Sequence, residues 1–177
     1  CLQHWGSSVE TLNIEVLSTE DSSDLLLQLT EEKRRRTDDE ASQVRRLAEL
    51  LEGLPLALHQ AAGYIKEQRL SFAAYIAHYE EEAAGVLDWF ESHIIPYERP
   101  DMLARKPVLI TWKTSFDKLD ADTRFWLLVF AHYAAEPIPE FLLDSAPDSP
   151  DEVKTRHRAA LKAIAQAETY SLLTRYD

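Results

Sequence analysis

Glycine is scarce in this chain, with four in 177 residues against a usual share of about 7%. Loops that cradle phosphate, and chains of tight hairpins, both draw on glycine for left-handed backbone. Gly6, Gly53, Gly63 and Gly85 fit neither the phosphate-loop spacing, nor the dinucleotide fingerprint, nor the nucleophile elbow. Cysteine is scarcer still, and a lone Cys1 excludes an internal disulfide and a cysteine-based zinc site. As a nucleophile beside His4 it has little to hold it in place at the end of the chain. Basic residues are in deficit, 19 against 31 acidic, for a net charge of −12 and a pI near 4.9. That balance argues against phosphate backbone or anionic lipid as the main partner. Long apolar runs are missing too, since the run from Phe125 to Tyr133 is flanked by Arg124 and Glu136 and a membrane span needs about 20 residues. What remains is 45% hydrophobic and 28% charged, the composition of a soluble globular protein with a cytoplasmic home as the default. The only methionine is Met102, and the expectation is a section of a longer protein.

The order of elements follows from periodicity and punctuation. Thr11–Leu17 alternates polar and apolar residues and reads as a short strand. Ser18, with Asp21 three residues on, opens a helix. Residues 30–40, TEEKRRRTDDE, read as a solvated loop rather than a nuclear-import or anion patch. Val44, Leu47, Ala48 and Leu51 make the stripe of an amphipathic helix ending at Gly53. Pro55 starts the next, with Leu54, Leu58, Ala61, Ala62 and Ile65 inward. Ser71 caps a third helix carrying Phe72, Tyr75, Ile76 and Tyr79 on one face, and the spacing resumes at Ala83, Val86, Leu87 and Phe90. Three prolines between His93 and Pro107 mark the candidate domain boundary. Helices follow over Val108–Leu119, over Thr123–Tyr133 behind an Asp120 cap, briefly over Pro137–Ser145, and over Asp151–Ala167 with Val153, His157, Ala160, Leu161 and Ile164 inward. Tyr170–Tyr176 reads as β-like. Three helices and then a strand is the order of a winged-helix domain. The expected fold is mainly α: a helical bundle domain followed by a partial winged-helix domain, with a short N-terminal strand.

Most candidate chemistry has a plainer reading beside it. His78 with Glu81 and Glu82 shares a helical face suited to a metal or to acid–base work, but no facing E-x-x-H pair completes a di-metal site. Trp5, Trp89, Trp112 and Trp126 read as core anchors rather than stacking platforms. Lys154, Arg158 and Lys162, with Arg156 nearby, form a basic stripe on the helix that would enter a major groove. The segment 107–177 nevertheless carries 8 basic and 11 acidic residues, 8 − 11 = −3, so a solvated face or an internal salt-bridge surface is the expectation.

Gly53, Leu54, Pro55 and Leu56 carry the most specific logic. The glycine permits a left-handed turn, and the proline sets a rigid apolar ring beside a helix N-terminus whose free N–H groups favour an anion or a polar ring edge. A flat adenine could pack there. In this setting the chain resembles the NB-ARC family of signal-transduction ATPases, also called STAND NTPases, NLR-like and of fungal or bacterial type. TLNIEVLSTEDSSDLLLQL looks like the strand-then-helix exit from the nucleotide domain, LAELLEGLPLALHQAAGYI like the adenine-side motif of the helical domain, and ITWKTSFDKLDADTRFWLLVFAHYAAEPIPEFLL like the start of the winged-helix domain. The resemblance implies residues 1–17 as the edge of a nucleotide-binding domain, 18–106 as the helical domain and 107–177 as a truncated winged-helix domain. It implies that Pro55 lies against the adenine of bound ADP. The family's phosphate loop, metal-binding acidic strand and arginine sensor would precede residue 1, and its sensing histidine would follow residue 177. None of His4, His59, His78, His93, His132 or His157 sits in that histidine's motif. The implied role is non-enzymatic for this chain, with ADP or ATP bound only in the parent protein and no cofactor in the isolated chain. The implied partners are the nucleotide-binding domain and a C-terminal repeat domain of the same protein, and further copies in a homo-oligomer, in signal transduction for innate immunity or programmed cell death. No nucleic acid or membrane partner is expected. The alternatives are a winged-helix DNA-binding transcriptional regulator with a helical appendage and, more remotely, a hydrolase using His78 and Glu82.

Overall fold

The computed structural model describes residues 15–94, 106–133, 137–139 and 150–175, without the side chains of 86–94 and 150–154. The described chain is mainly helical, and no strand occurs among the described residues. The strand expected over Thr11–Leu17 falls mostly outside them. Its described end, 15–17, forms none, and Leu17 N donates instead to Gly53 O at 3.0 Å.

Local sequence accounts for the helix starts. Ser18 caps α1 (Thr19–Thr30): its Oγ accepts from Asp21 N at 3.1 Å while its hydroxyl donates to the Asp21 carboxylate at 2.7 Å, a reciprocal cap. α2 (Glu40–Leu50) buries Val44, Leu47 and Ala48, and Leu51 just beyond it is buried as well. α3 (Pro55–Gln68) opens with proline at its first position, where the missing N–H costs nothing. Ser71 caps α4 (Phe72–Ile94) by accepting from Ala74 N at 3.2 Å, and Phe72, Tyr75, Ile76 and Tyr79 turn inward as the spacing predicts. α5 (Lys106–Phe116) follows. Asp120 caps α6 (Ala121–Phe130) through Thr123 N at 2.8 Å. The last helix, α7 (Pro150–Thr169), runs two residues past its expected end. Beyond it Tyr170–Tyr176 is not β-like where described. Ser171 takes a left-handed φ of 55°, and Leu172 N closes back on Ala167 O at 3.0 Å, a helix C-cap that spends the backbone groups a strand would need.

One core gathers most of this. α3 lies at its centre, packed against α1, α4, α5 and the end of α7. Ile110 of α5 and Leu119 join the same cluster as Leu26, Leu47, Leu58, Ile65 and Tyr75. A boundary was expected between His93 and Pro107; 95–105 lie outside the described residues, and the helix after them shares the first core. A polar bond crosses that contact, where the buried Thr111 hydroxyl donates to Gln60 Oε1 at 2.6 Å. The smaller second cluster, Phe130 and Ala160 with Trp126, Leu161 and Ile164 around them, joins α6 to α7. There the Thr123 hydroxyl bonds Gln166 at 2.5 Å and Lys162 bonds Asp120 at 3.2 Å. The most buried positions of α7 are Ala160, Ala163 and Ala167, small residues that let the helix approach closely.

The loop between α1 and α2 departs from expectation at Arg34. Its side chain is 5% exposed and binds Glu40 through two bonds of 2.6 and 3.0 Å, reaches Leu27 O at 3.1 Å and lies over the Phe72 ring at 5.5 Å. The hydrogen-bonded ion pair raises the guanidinium's pKa and lowers the Glu40 carboxyl's. A charge-rich stretch thus conceals one structural arginine, which periodicity does not mark.

α7 returns to the core through Tyr170, which is buried, accepts from Gln68 Nε2 at 2.7 Å and lies 6.0 Å from the Tyr64 ring. Gly63 faces this turn. A Cβ there would stand 3.0 Å from the Tyr170 carbonyl carbon and 3.1 Å from Thr169 O, both backbone atoms, whereas one at Gly85 would meet nothing within 4 Å. Gly63→Ala is therefore expected to destabilise by about 1–2 kcal/mol, the crowding exceeding the roughly 1 kcal/mol gained in helix propensity. Gly85→Ala is expected to stabilise by about 0.5–1 kcal/mol. Equilibrium denaturation of both variants checks the pair, and equal effects would contradict the close approach at Gly63.

Candidate adenine-side corner

α2 ends in a turn whose two central residues, Glu52 and Gly53, have φ of 54° and 64°. Leu54 N bonds Leu51 O across it at 3.1 Å, and Gly53 N reaches Ala48 O at 3.3 Å. Two constraints select glycine at position 53. The backbone is left-handed, and a Cβ would stand 2.2 Å from Leu17 O. The incoming segment 15–18 thus lies directly over the corner, held by the bond from Leu17 N to Gly53 O, before Ser18 turns it into α1.

The other members divide between anchoring and display. Leu54 is half-buried in an extended conformation, with φ −75° and ψ 114°, and packs against the core. Pro55 is exposed, Leu56 is 53% exposed and Val16 is 56% exposed. No side chain caps α3 and its first turn has no acidic residue. The N–H groups of Leu56 and Ala57 precede the first helical bond, Leu58 N to Leu54 O at 3.0 Å, so the positive end of the helix dipole meets no carboxylate from the helix's own first turn. Exposed apolar surface at Pro55 and Leu56 beside such a helix end is chemistry for a flat, partly polar ring. Leu17 escaped the sequence reading as a member of this corner, because nothing local marks a contact formed across more than thirty residues.

The remaining candidates resolve differently. His78 turns to Tyr64, sharing a 2.8 Å hydrogen bond and stacking at 5.4 Å between ring centroids. Burial pushes the Tyr64 hydroxyl up to about 12, so it stays neutral in that bond near neutral pH. Among the described residues no group of three or more His, Cys, Asp or Glu is placed to hold a metal ion. Trp112, expected in the core, is 39% exposed and stacks on Phe116 at 4.7 Å. Trp126 packs on the second cluster. Trp5 lies outside the described residues, as does the side chain of Trp89. Of the basic stripe, Lys162 pairs with Asp120, Arg156 and Arg158 are exposed, and the Lys154 side chain is outside the description.

Comparison with protein families, with curated proteins and with solved structures finds no match to this chain.

Gly53→Ala is expected to cost about 2–4 kcal/mol, combining the left-handed penalty with displacement of the Leu17 backbone. Glu52→Gly, at the preceding left-handed position, is expected to be neutral or to gain up to about 1 kcal/mol. Denaturant midpoints for the two variants check the corner's geometry, and a harmless Gly53→Ala would contradict it.

Proposed function

We propose that this chain is the regulatory helical and winged-helix section of an NB-ARC-type, ATP/ADP-switched signalling protein. The observation that carries the reading is the corner at Gly53–Leu56. A pinned left-handed glycine sets proline at the first position of an uncapped helix, and apolar surface at Pro55 and Leu56 is left open to solvent. That surface is the adenine-side wall, with Pro55 against the ring. The segment 15–18 across the corner enters from the nucleotide-binding domain. α5, α6 and α7 are the three helices of a truncated winged-helix domain.

In the parent protein, ADP is clamped between the phosphate-binding domain and this wall, and exchange for ATP releases the section to expose surfaces for oligomerisation. The section is a lid and lever with no catalytic group of its own. Its partners are the domains on either side of it, and the parent acts in the cytoplasm in immune or cell-death signalling. The bond from Lys162 to Asp120 supports an internal use of the basic stripe over DNA reading. Among the described residues no helix is long and apolar enough to cross a membrane.

Phosphate and magnesium contacts provide most of the binding energy at such sites, and one proline face provides little. The isolated chain is therefore expected to bind ADP more weakly than the low micromolar range by calorimetry. Joined to the upstream nucleotide-binding segment of its own gene, the chain with Pro55→Ala is expected to lose ADP faster than the parent sequence does. Unchanged retention would overturn the adenine-side assignment.

A further inference from the structure

We propose that Thr37 is a phosphorylation site for a basic-directed Ser/Thr protein kinase, and that the phosphate acts by drawing Arg34 away from Glu40. The ion pair between Arg34 and Glu40 closes the base of a five-residue loop, 35–39. The backbone bond from Arg35 N to Leu70 O at 3.0 Å ties the start of the loop to the residue before Ser71. Residues 35–37 have no regular structure, and the Arg35 and Arg36 side chains are exposed. Thr37 is half-buried in this loop, with two exposed arginines immediately before it. On the acidic side Asp38 is exposed, and the two carboxylates after it are engaged. Asp39 is held by the Gln43 amide at 2.8 Å and by the Thr37 side chain, and Glu40 by Arg34. This asymmetry favours a kinase that reads arginines N-terminal to its target over one that reads carboxylates after it.

The transfer needs a kinase and Mg-ATP. The Thr37 hydroxyl oxygen bonds the γ-phosphorus, the bond from that phosphorus to the bridging β–γ oxygen breaks, ADP leaves, and the hydroxyl proton passes to the kinase's base. The product adds a charge of about −1.5 to −2 to a segment, 34–40, whose three arginines and three acids now balance. Phosphate is the stronger partner for a guanidinium. The phosphate then competes with Glu40 for Arg34, and the pair that joins the loop to α2 opens.

The test incubates the full chain with the catalytic subunit of a cyclic-AMP-dependent kinase and Mg-ATP, in parallel with an acid-directed kinase. Expected is one phosphoryl group, mapped to Thr37, absent in Thr37→Ala, and added at least about tenfold more slowly when Arg35→Ala and Arg36→Ala remove two charge-assisted contacts. The phosphorylated chain is expected to melt lower than the unmodified one, with little further lowering in a Glu40→Gln background where the pair is already broken. No transfer to Thr37 by the basic-directed kinase, or transfer by the acid-directed kinase alone, overturns the site. A melting shift of full size in Glu40→Gln overturns the role of Arg34.

Discussion

The burial of α3 is the constraint on which the rest of the structure depends. Its buried residues run without a break from Ala57 to Ile65 apart from the exposed His59, so almost every direction around its axis meets another element. Such a helix can be surrounded only if its side chains are small where neighbours come closest. Ala57, Ala61, Ala62 and Gly63 meet that requirement, and Leu58, Tyr64 and Ile65 fill the spaces between. Polar groups drawn into this environment must be partnered. Gln60 is, through Thr111, and that bond fixes which face of α5 meets α3.

Because α3 is held along its length, its two ends have different work. The N-terminal end carries the corner, where Gly53 turns the chain under Leu17 and Pro55 begins the helix in the open. The C-terminal half receives α7, with Gly63 under the Tyr170–Ser171 turn and Gln68 bonded to Tyr170. A well-packed helix transmits displacement along its axis with little loss. On the proposed reading, this is the mechanical content of the lever: what presses on Pro55 would be felt at the seat of α7.

The legible features were those written in nearby residues. The stripes of α2, α3 and α4, the caps at Ser18, Ser71 and Asp120, and the left-handed glycine at 53 each follow from residues within a turn or two. The missed features are contacts between distant segments. Arg34 sits among charges that look solvated, yet Phe72, far along the chain, covers it. Trp112 has the composition of a core residue, but the geometry of α5 leaves it stacked on Phe116 at the surface. The turn after Thr169 was misread because Tyr170 and Leu172 alternate like a strand, while their burial comes from the α3 side of the core. At the candidate site the sequence marked Gly53 to Leu56, and only the fold added Leu17.

Native-state hydrogen exchange by NMR tests the central claim most directly, since it measures how each amide's opening relates to global unfolding. Amides from Leu58 to Tyr64 and those of Ala167 and Leu172 are expected to exchange only through the global transition and to share its free energy. Faster, independent exchange of the α7 end, with α3 still protected, would show that α7 is not seated on α3 and would contradict the account.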